Sequence, residues 1–192
     1  MKLSDRHIRQ YLEQGKIRID PAPDLDVQLG TISIDLRLGD SFSVFDSNAH
    51  SYIDPLLNPE EYLKQVTVAP GGAFILQSGA FAIASTIEWL ELADDVVAEL
   101  HGRSSIARLG IIVHGTSSLF DPGWSGRVVL ELHNVGPMPI KLYPGMRICA
   151  LTFEQASSPV DVPYRLKKDG KYAGQQGPVA SRIHLDEDGR VE

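Results

Sequence analysis

Thr31-Ile32-Ser33-Ile34-Asp35-Leu36-Arg37-Leu38 alternates without a break, with four aliphatic side chains on one face and four polar or charged ones on the other. Successive side chains of a strand point to opposite faces, so a period of two marks a strand with one face in a core and one toward water. Gly39-Asp40 reads as its end. Further β-like runs lie at residues 41–45, 66–69, 73–76, 81–92, 96–100, 111–113, 127–133 and 148–153, divided by turn signals such as Pro70-Gly71-Gly72, Ser78-Gly79, Pro122-Gly123 and Pro144-Gly145. Many short strands at roughly 8–12 residue spacing imply a mainly β sandwich, jelly roll or barrel.

Helical signals are few. Ser4 stands as an N-cap before Asp5, with Ile8, Tyr11 and Leu12 on one face and Gly15 as the stop. Asn58-Pro59 starts a second helical turn, and residues 104–109 form a third that Gly110 ends. No repeat or low-complexity linker divides the 192 residues, which read as a single domain, 1–192. Residues 163–192 differ in character: Lys167, Lys168, Asp169, Gly170, Lys171, Gly174, Gln175, Gln176 and Gly177 give a polar, Gly-rich tail with little to bury. Such a segment is either disordered or a lid that orders on a ligand.

The composition, 43% hydrophobic and 22% charged, is that of a soluble globular protein. The start of the chain turns polar at once and no apolar run reaches the length of a membrane span, so a cytoplasmic protein without membrane contact is expected. A net charge of −7 argues against a nucleic-acid partner, which needs a basic face. The lone Cys149 leaves no disulfide and no multi-cysteine zinc site, and the six histidines show no H-x-x-x-H or H-x-E spacing, so zinc is not expected. A Gly-x-Ser-x-Gly elbow is also missing.

Two segments carry the chemistry. His101-Gly102-Arg103-Ser104-Ser105-Ile106-Ala107-Arg108-Leu109-Gly110 sets two guanidinium groups and two hydroxyls between glycines, a composition suited to an anion such as phosphate. The bland alternative is a helix start capped by serine, with its arginines in surface ion pairs. In Val128-Val129-Leu130-Glu131-Leu132, Glu131 interrupts an apolar strand. A carboxylate in such a place is either paired, an arginine being the expected partner, or kept as an acid–base group; a solvent-facing position is the plain alternative. Asp121-Pro122-Gly123-Trp124-Ser125-Gly126 is ordinary turn chemistry, or else Asp121 accepts a sugar hydroxyl with Trp124 packed nearby. His114, after Ile111-Ile112-Val113, reads as a structural or interface histidine.

These pieces, with Ser4-Asp5-Arg6, Ser33-Ile34-Asp35-Leu36-Arg37-Leu38-Gly39, Pro144-Gly145-Met146 and Lys171-Tyr172-Ala173-Gly174-Gln175-Gln176-Gly177, occur in the order in which they resemble the dCTP deaminases of the dUTPase-like superfamily. The resemblance spans nearly the whole chain. It implies a distorted β jelly-roll subunit in a homotrimer with active sites between subunits. It implies hydrolytic deamination of dCTP to dUTP and ammonia, with Mg²⁺ accompanying the triphosphate and no metal held by protein side chains. By position it gives Arg103, Ser104, Ser105, Ile106, Ala107 and Arg108 the signature-loop role. Asp121 becomes the deoxyribose contact, and Val129, Leu130 and Glu131 the base-reading edge. Tyr164, Lys171 and Gln175 become the tail residues that close on the nucleotide. Feedback inhibition by dTTP through the His114-Gly115 loop is a further implication.

Deamination at C4 needs a nucleophilic water and a proton delivered first to N3 and then to the departing amine, which one carboxylate can shuttle. Glu131 is the candidate, with Arg108, the Ser104 hydroxyl and backbone carbonyls near Ser117 left to orient water and hold charge. One stretch departs from the family pattern. Thr116-Ser117-Ser118 is neither the Thr-Ala-His of deaminase-only members nor the Thr-Ala-Gly of those that also cleave the triphosphate. A bifunctional enzyme giving dUMP and pyrophosphate therefore stays open, beside a plain dUTPase and a non-catalytic nucleotide-binding module.

Overall fold

The structure, a computed structural model, describes residues 1–186. Residues 187–192 of the tail lie outside the described residues. In chain order the elements are α1 (Asp5–Glu13), β1 (Ile17–Asp20), α2 (Leu25–Gln28), β2 (Ser33–Phe45), β3 (Leu63–Thr67), β4 (Phe74–Leu76), β5 (Phe81–Leu92), β6 (Val96–Gly102), α3 (Ser104–Ala107), β7 (Ile111–Ile112), β8 (Leu119–Phe120), β9 (Ser125–Asn134), β10 (Ile140–Leu142) and β11 (Arg147–Gln155). The fold is mainly β, as expected. Its main sheet runs β7-β9-β5-β2-β11-β6-β8, with β1 added to β5 and β3 to β2, and every pairing is antiparallel.

The sheet curls because β2 and β5 change partners part-way along. β2 pairs with β11 over its first half and with β3 over residues 41–45; β5 pairs with β2 and then, from Trp89, with β1. Each switch falls at a register shift, between Leu38 and Phe42 on β2 and between Ser85 and Trp89 on β5. Bulges bend a strand and sharpen its twist, which lets one strand serve two faces of a half-barrel.

Gly39-Asp40 therefore does not end the first strand: β2 runs through it to Phe45. A Cβ at Gly39 would lie 2.9 Å from the Ser85 carbonyl oxygen, so the glycine allows two strands to cross closely at the corner. The core follows the alternation, with Ile34, Leu36 and Leu38 of β2 and Val128, Leu130 and Leu132 of β9 all fully buried. Ile8 and Tyr11 of α1 close one end. Ser4 holds the N-cap position, but its hydroxyl faces the His7 ring at 3.3 Å and makes no bond to the helix backbone.

The β5 corner holds the carboxylate that is truly buried. Glu88 is fully enclosed, with Oε1 2.7 Å from Arg37 Nε, Oε2 accepting the Arg37 backbone N–H at 2.9 Å, and Gln28 Nε2 donating to Oε1 at 3.2 Å. The expectation that a carboxylate inside an apolar strand is paired with an arginine is thus met by Glu88 and not by Glu131.

Candidate active site

Glu131 stands on the face of β9 opposite the core and is half-buried. No arginine pairs with it among the described residues. Its one hydrogen bond there is from the backbone N–H of Gly115 to Oε2, at 2.6 Å. The reason lies in the sheet edge: β7 covers β9 only at His133 and Asn134, so the 113–117 segment peels away and lays its backbone against Glu131. Glu131 N–H in turn donates to Val113 C=O at 3.0 Å.

The carboxylate lines a cavity of about 820 Å³, a size typical of small-molecule sites. Ile83, Phe81 and Val129 form the sheet wall beside it, and Trp124, packed edge-on against Phe120 with centroids 4.7 Å apart, forms another side. Ser117, Asp121, Tyr164 and Gln175 reach the same cavity. Asp121 accepts from Lys167 Nζ at 2.9 Å, which ties the sequence after β11 to the turn before β9.

The edge of β9 has a gap at Val129. Arg127 N–H donates outward to Gln175 C=O at 2.9 Å, and Glu131 N–H outward to Val113. Strand alternation aims the N–H and C=O of Val129 the same way, into the space between those two contacts. Leu130, by contrast, is fully buried and turned into the core, so its side chain cannot meet a ligand in this cavity.

The tail packs on the sheet around Gly174, Gln175 and Pro178, while most of its other side chains stay half-buried or exposed. Gln175 and Ala180 are buried. Gly174 N–H donates to Ser125 C=O at 2.8 Å and Gln175 Nε2 to Arg127 C=O at 2.9 Å, so the tail adds a short parallel bridge to β9. Tyr172 N–H donates to the Tyr164 hydroxyl at 3.3 Å, Arg182 N–H to the Tyr172 hydroxyl at 3.1 Å, and Ala180 N–H to Glu60 Oε1 at 2.9 Å. Lys171 Nζ sits 2.7 Å from both oxygens of Asp186, a pairing that raises the lysine above its ordinary pKa.

The Arg103–Arg108 turn is elsewhere: none of its residues lines this cavity. Ser104, Ser105 and Ala107 are exposed on α3, as is Arg108 at its C-cap, and Ile106 is buried beneath it. Arg103 is the N-cap residue of α3, and no serine side chain caps the helix. Its guanidinium folds back onto the sheet, with Nε 2.9 Å from Asp35 Oδ2 and Nη1 donating to Arg147 C=O at 2.9 Å. The described residues thus bring Glu131, Val129, Ser117, Asp121, Tyr164 and Gln175 to one cavity and leave the arginine turn outside it. His114 is half-buried beside the Gly115 contact, its buried Nδ1 without a hydrogen bond among the described residues.

Sequence reasoning missed Phe45, Phe81, Ile83 and Tyr172 as wall residues. Only Tyr172 carried a signal, its place next to Lys171. Cys149 is fully buried and burial pushes its thiol up, as suits an inert core residue. No helix among the described residues is long and apolar enough to cross a membrane.

This architecture belongs to the class of curled, antiparallel β proteins whose cavity lies along a strand edge. The crystal structure of 2′-deoxycytidine 5′-triphosphate deaminase from Agrobacterium tumefaciens has a similar fold, with a TM-score of 0.63 and 24% identity, covering 81% of this chain and 49% of that one. The chain spans about half of that protein's length. Residues 2–156 match the dCTP deaminase-like family, and the chain belongs to that family. A dCTP deaminase of Thermomicrobium roseum is 55% identical over 186 residues, 95% of this chain and 94% of that one. A dUMP-forming dCTP deaminase of Dictyoglomus thermophilum is 47% identical over 187 residues, 97% and 96% of the two chains.

Proposed function

We propose that this enzyme hydrolyses dCTP to dUTP and ammonia, with Glu131 as the proton carrier. The observation that carries the reading is a carboxylate steadied through one oxygen by the Gly115 N–H, in a cavity, beside the outward-facing backbone of Val129. With Oε2 held, Oε1 is left to take a proton from water. That proton passes to N3 as the water oxygen bonds C4. A second proton, from the new hydroxyl, goes through the same carboxylate to the amine. The C4–N bond then breaks, ammonia leaves, C4 becomes a carbonyl, and Glu131 returns to its starting state. The Val129 N–H and C=O offer the base a donor and an acceptor.

Anion binding comes from an adjoining copy in this reading, because no residue of the Arg103–Arg108 turn lines the cavity of its own chain. Leu109, Ile112 and Val135 are exposed close together where β7 meets β9, an apolar face suited to a homotrimer contact. Mg²⁺ would travel with the triphosphate, whose oxygens and bound water would supply its donors. Binding of dTTP would shift the His114-Gly115 loop and withdraw the N–H from Glu131. Such an enzyme of nucleotide supply is expected in the cytoplasm.

Two measurements test this. Products formed from dCTP are followed as dUTP, dUMP and pyrophosphate separately; dUTP without pyrophosphate is expected. Release of dUMP and pyrophosphate would favour the bifunctional reading, which Ser117 at the cavity and the dUMP-forming relative keep in view. Second, Glu131→Gln and Arg108→Ala variants, each inactive alone, should regain activity when their subunits are mixed and reassembled. Continued inactivity of the mixture would refute an active site shared between copies.

A further inference from the structure

Asp35, to which sequence reasoning assigned no role of its own, has the geometry of a component of the anion site. Its Oδ2 lies 2.9 Å from Arg103 Nε and accepts from Arg147 Nη1 at 3.2 Å, and the three side chains are mostly shielded from water. Arg103 Nη1 is fixed separately by the Arg147 carbonyl. The Nη2 end of Arg103 makes no hydrogen bond among the described residues.

One carboxylate serving two guanidinium groups leaves a surplus positive charge at the start of α3. The neighbouring Glu88 does not cancel it, since that group is matched by Arg37. A long, flexible arginine loses side-chain entropy when it must be ordered by a ligand; one already held at Nε and Nη1 has lost it before the ligand arrives.

We infer that Asp35 is a positioning residue for polyphosphate recognition: it locks Arg103 so that the free Nη2 edge faces a phosphate, and sharing it with Arg147 keeps the site cationic. The inference rests on the reading of Arg103 as a phosphate-binding residue. Asp35 touches no substrate in this scheme and acts only through Arg103.

The test uses inorganic tripolyphosphate, whose binding by calorimetry does not depend on turnover, together with dCTP kinetics. Asp35→Asn should weaken tripolyphosphate about tenfold and raise KM for dCTP by a similar factor, with kcat within about twofold. In the double variant with Arg103→Gln, the loss of tripolyphosphate binding should be no greater than for Arg103→Gln alone. Unchanged binding in Asp35→Asn, or losses that multiply in the double variant, would overturn the inference. If Asp35→Asn does not fold, Asp35→Glu, which keeps the charge but moves it by one methylene, is read by the same criteria. A wild-type protein that binds tripolyphosphate but releases no ammonia from dCTP would reject the proposed reaction and leave the Asp35 result standing.

Discussion

The backbone N–H of Gly115 and the carboxylate of Glu131 are 2.6 Å apart, and a Cβ on residue 115 would come within 2.8 Å of Oε2. The loop thus approaches the acid as closely as a residue without a side chain permits. Replacing Glu131 with Gln keeps an oxygen for this N–H but removes the proton acceptor. Deamination should fall by roughly 10²–10⁴-fold, with dCTP binding nearly unchanged. Ammonia release and equilibrium binding read the two effects; retained turnover would remove Glu131 from its assigned role.

Lys171 is held by both oxygens of Asp186; in the proposed reading it turns to the distal phosphates, which take the place of that carboxylate. Lys171→Ala should weaken dCTP about tenfold and dCMP by much less, since only the longer ligand extends to the tail ammonium. Titration of both ligands separates the cases, and an equal loss for the two would show that the tail does not grip the distal phosphates.

Glu88→Ala strands Arg37 and opens a hole at the β5 corner, so global stability should fall by about 3–5 kcal/mol. Denaturant unfolding measures it. A loss below about 1 kcal/mol would put the pair in the class of surface ion pairs.

Acid should loosen the turn that follows β11. Arg165 holds Asp94 through both carboxylate oxygens, and that guanidinium keeps the Asp94 carboxyl below its ordinary pKa. A depressed carboxylate contributes stability above its unfolded value, roughly 3.9, and the contribution disappears as pH falls through the lower folded value. Cleavage after Arg165 by an acid-tolerant protease should therefore rise below about pH 4 in the wild type. In Asp94→Asn it should already be high at neutral pH; identical pH dependence in the two proteins would contradict the tether.

Strand faces were legible because alternation is local: each side chain points up or down according to its neighbours alone, and Val128, Leu130 and Leu132 went to the core while Glu131 did not. Glu88 was not legible, since its setting in Thr86-Ile87-Glu88-Trp89 looks like any amphipathic strand and becomes interior only when β5 bulges against Arg37 of β2. Gly39 misled for a related reason: glycine marks a turn in one dimension and a close crossing of two strands in three.

Composition, strand period and the spacing of the Arg103–Arg108 and Lys171–Gly177 segments determined the β class and the family resemblance, because these depend on residue order and short-range stereochemistry. Only the tertiary structure decided that Glu131 is steadied by a backbone N–H instead of an arginine, that the tail pairs with β9, and that Arg103 turns to Asp35. Those outcomes depend on strand partners distant in sequence, whose registers are set by bulges and by the burial of whole faces at once.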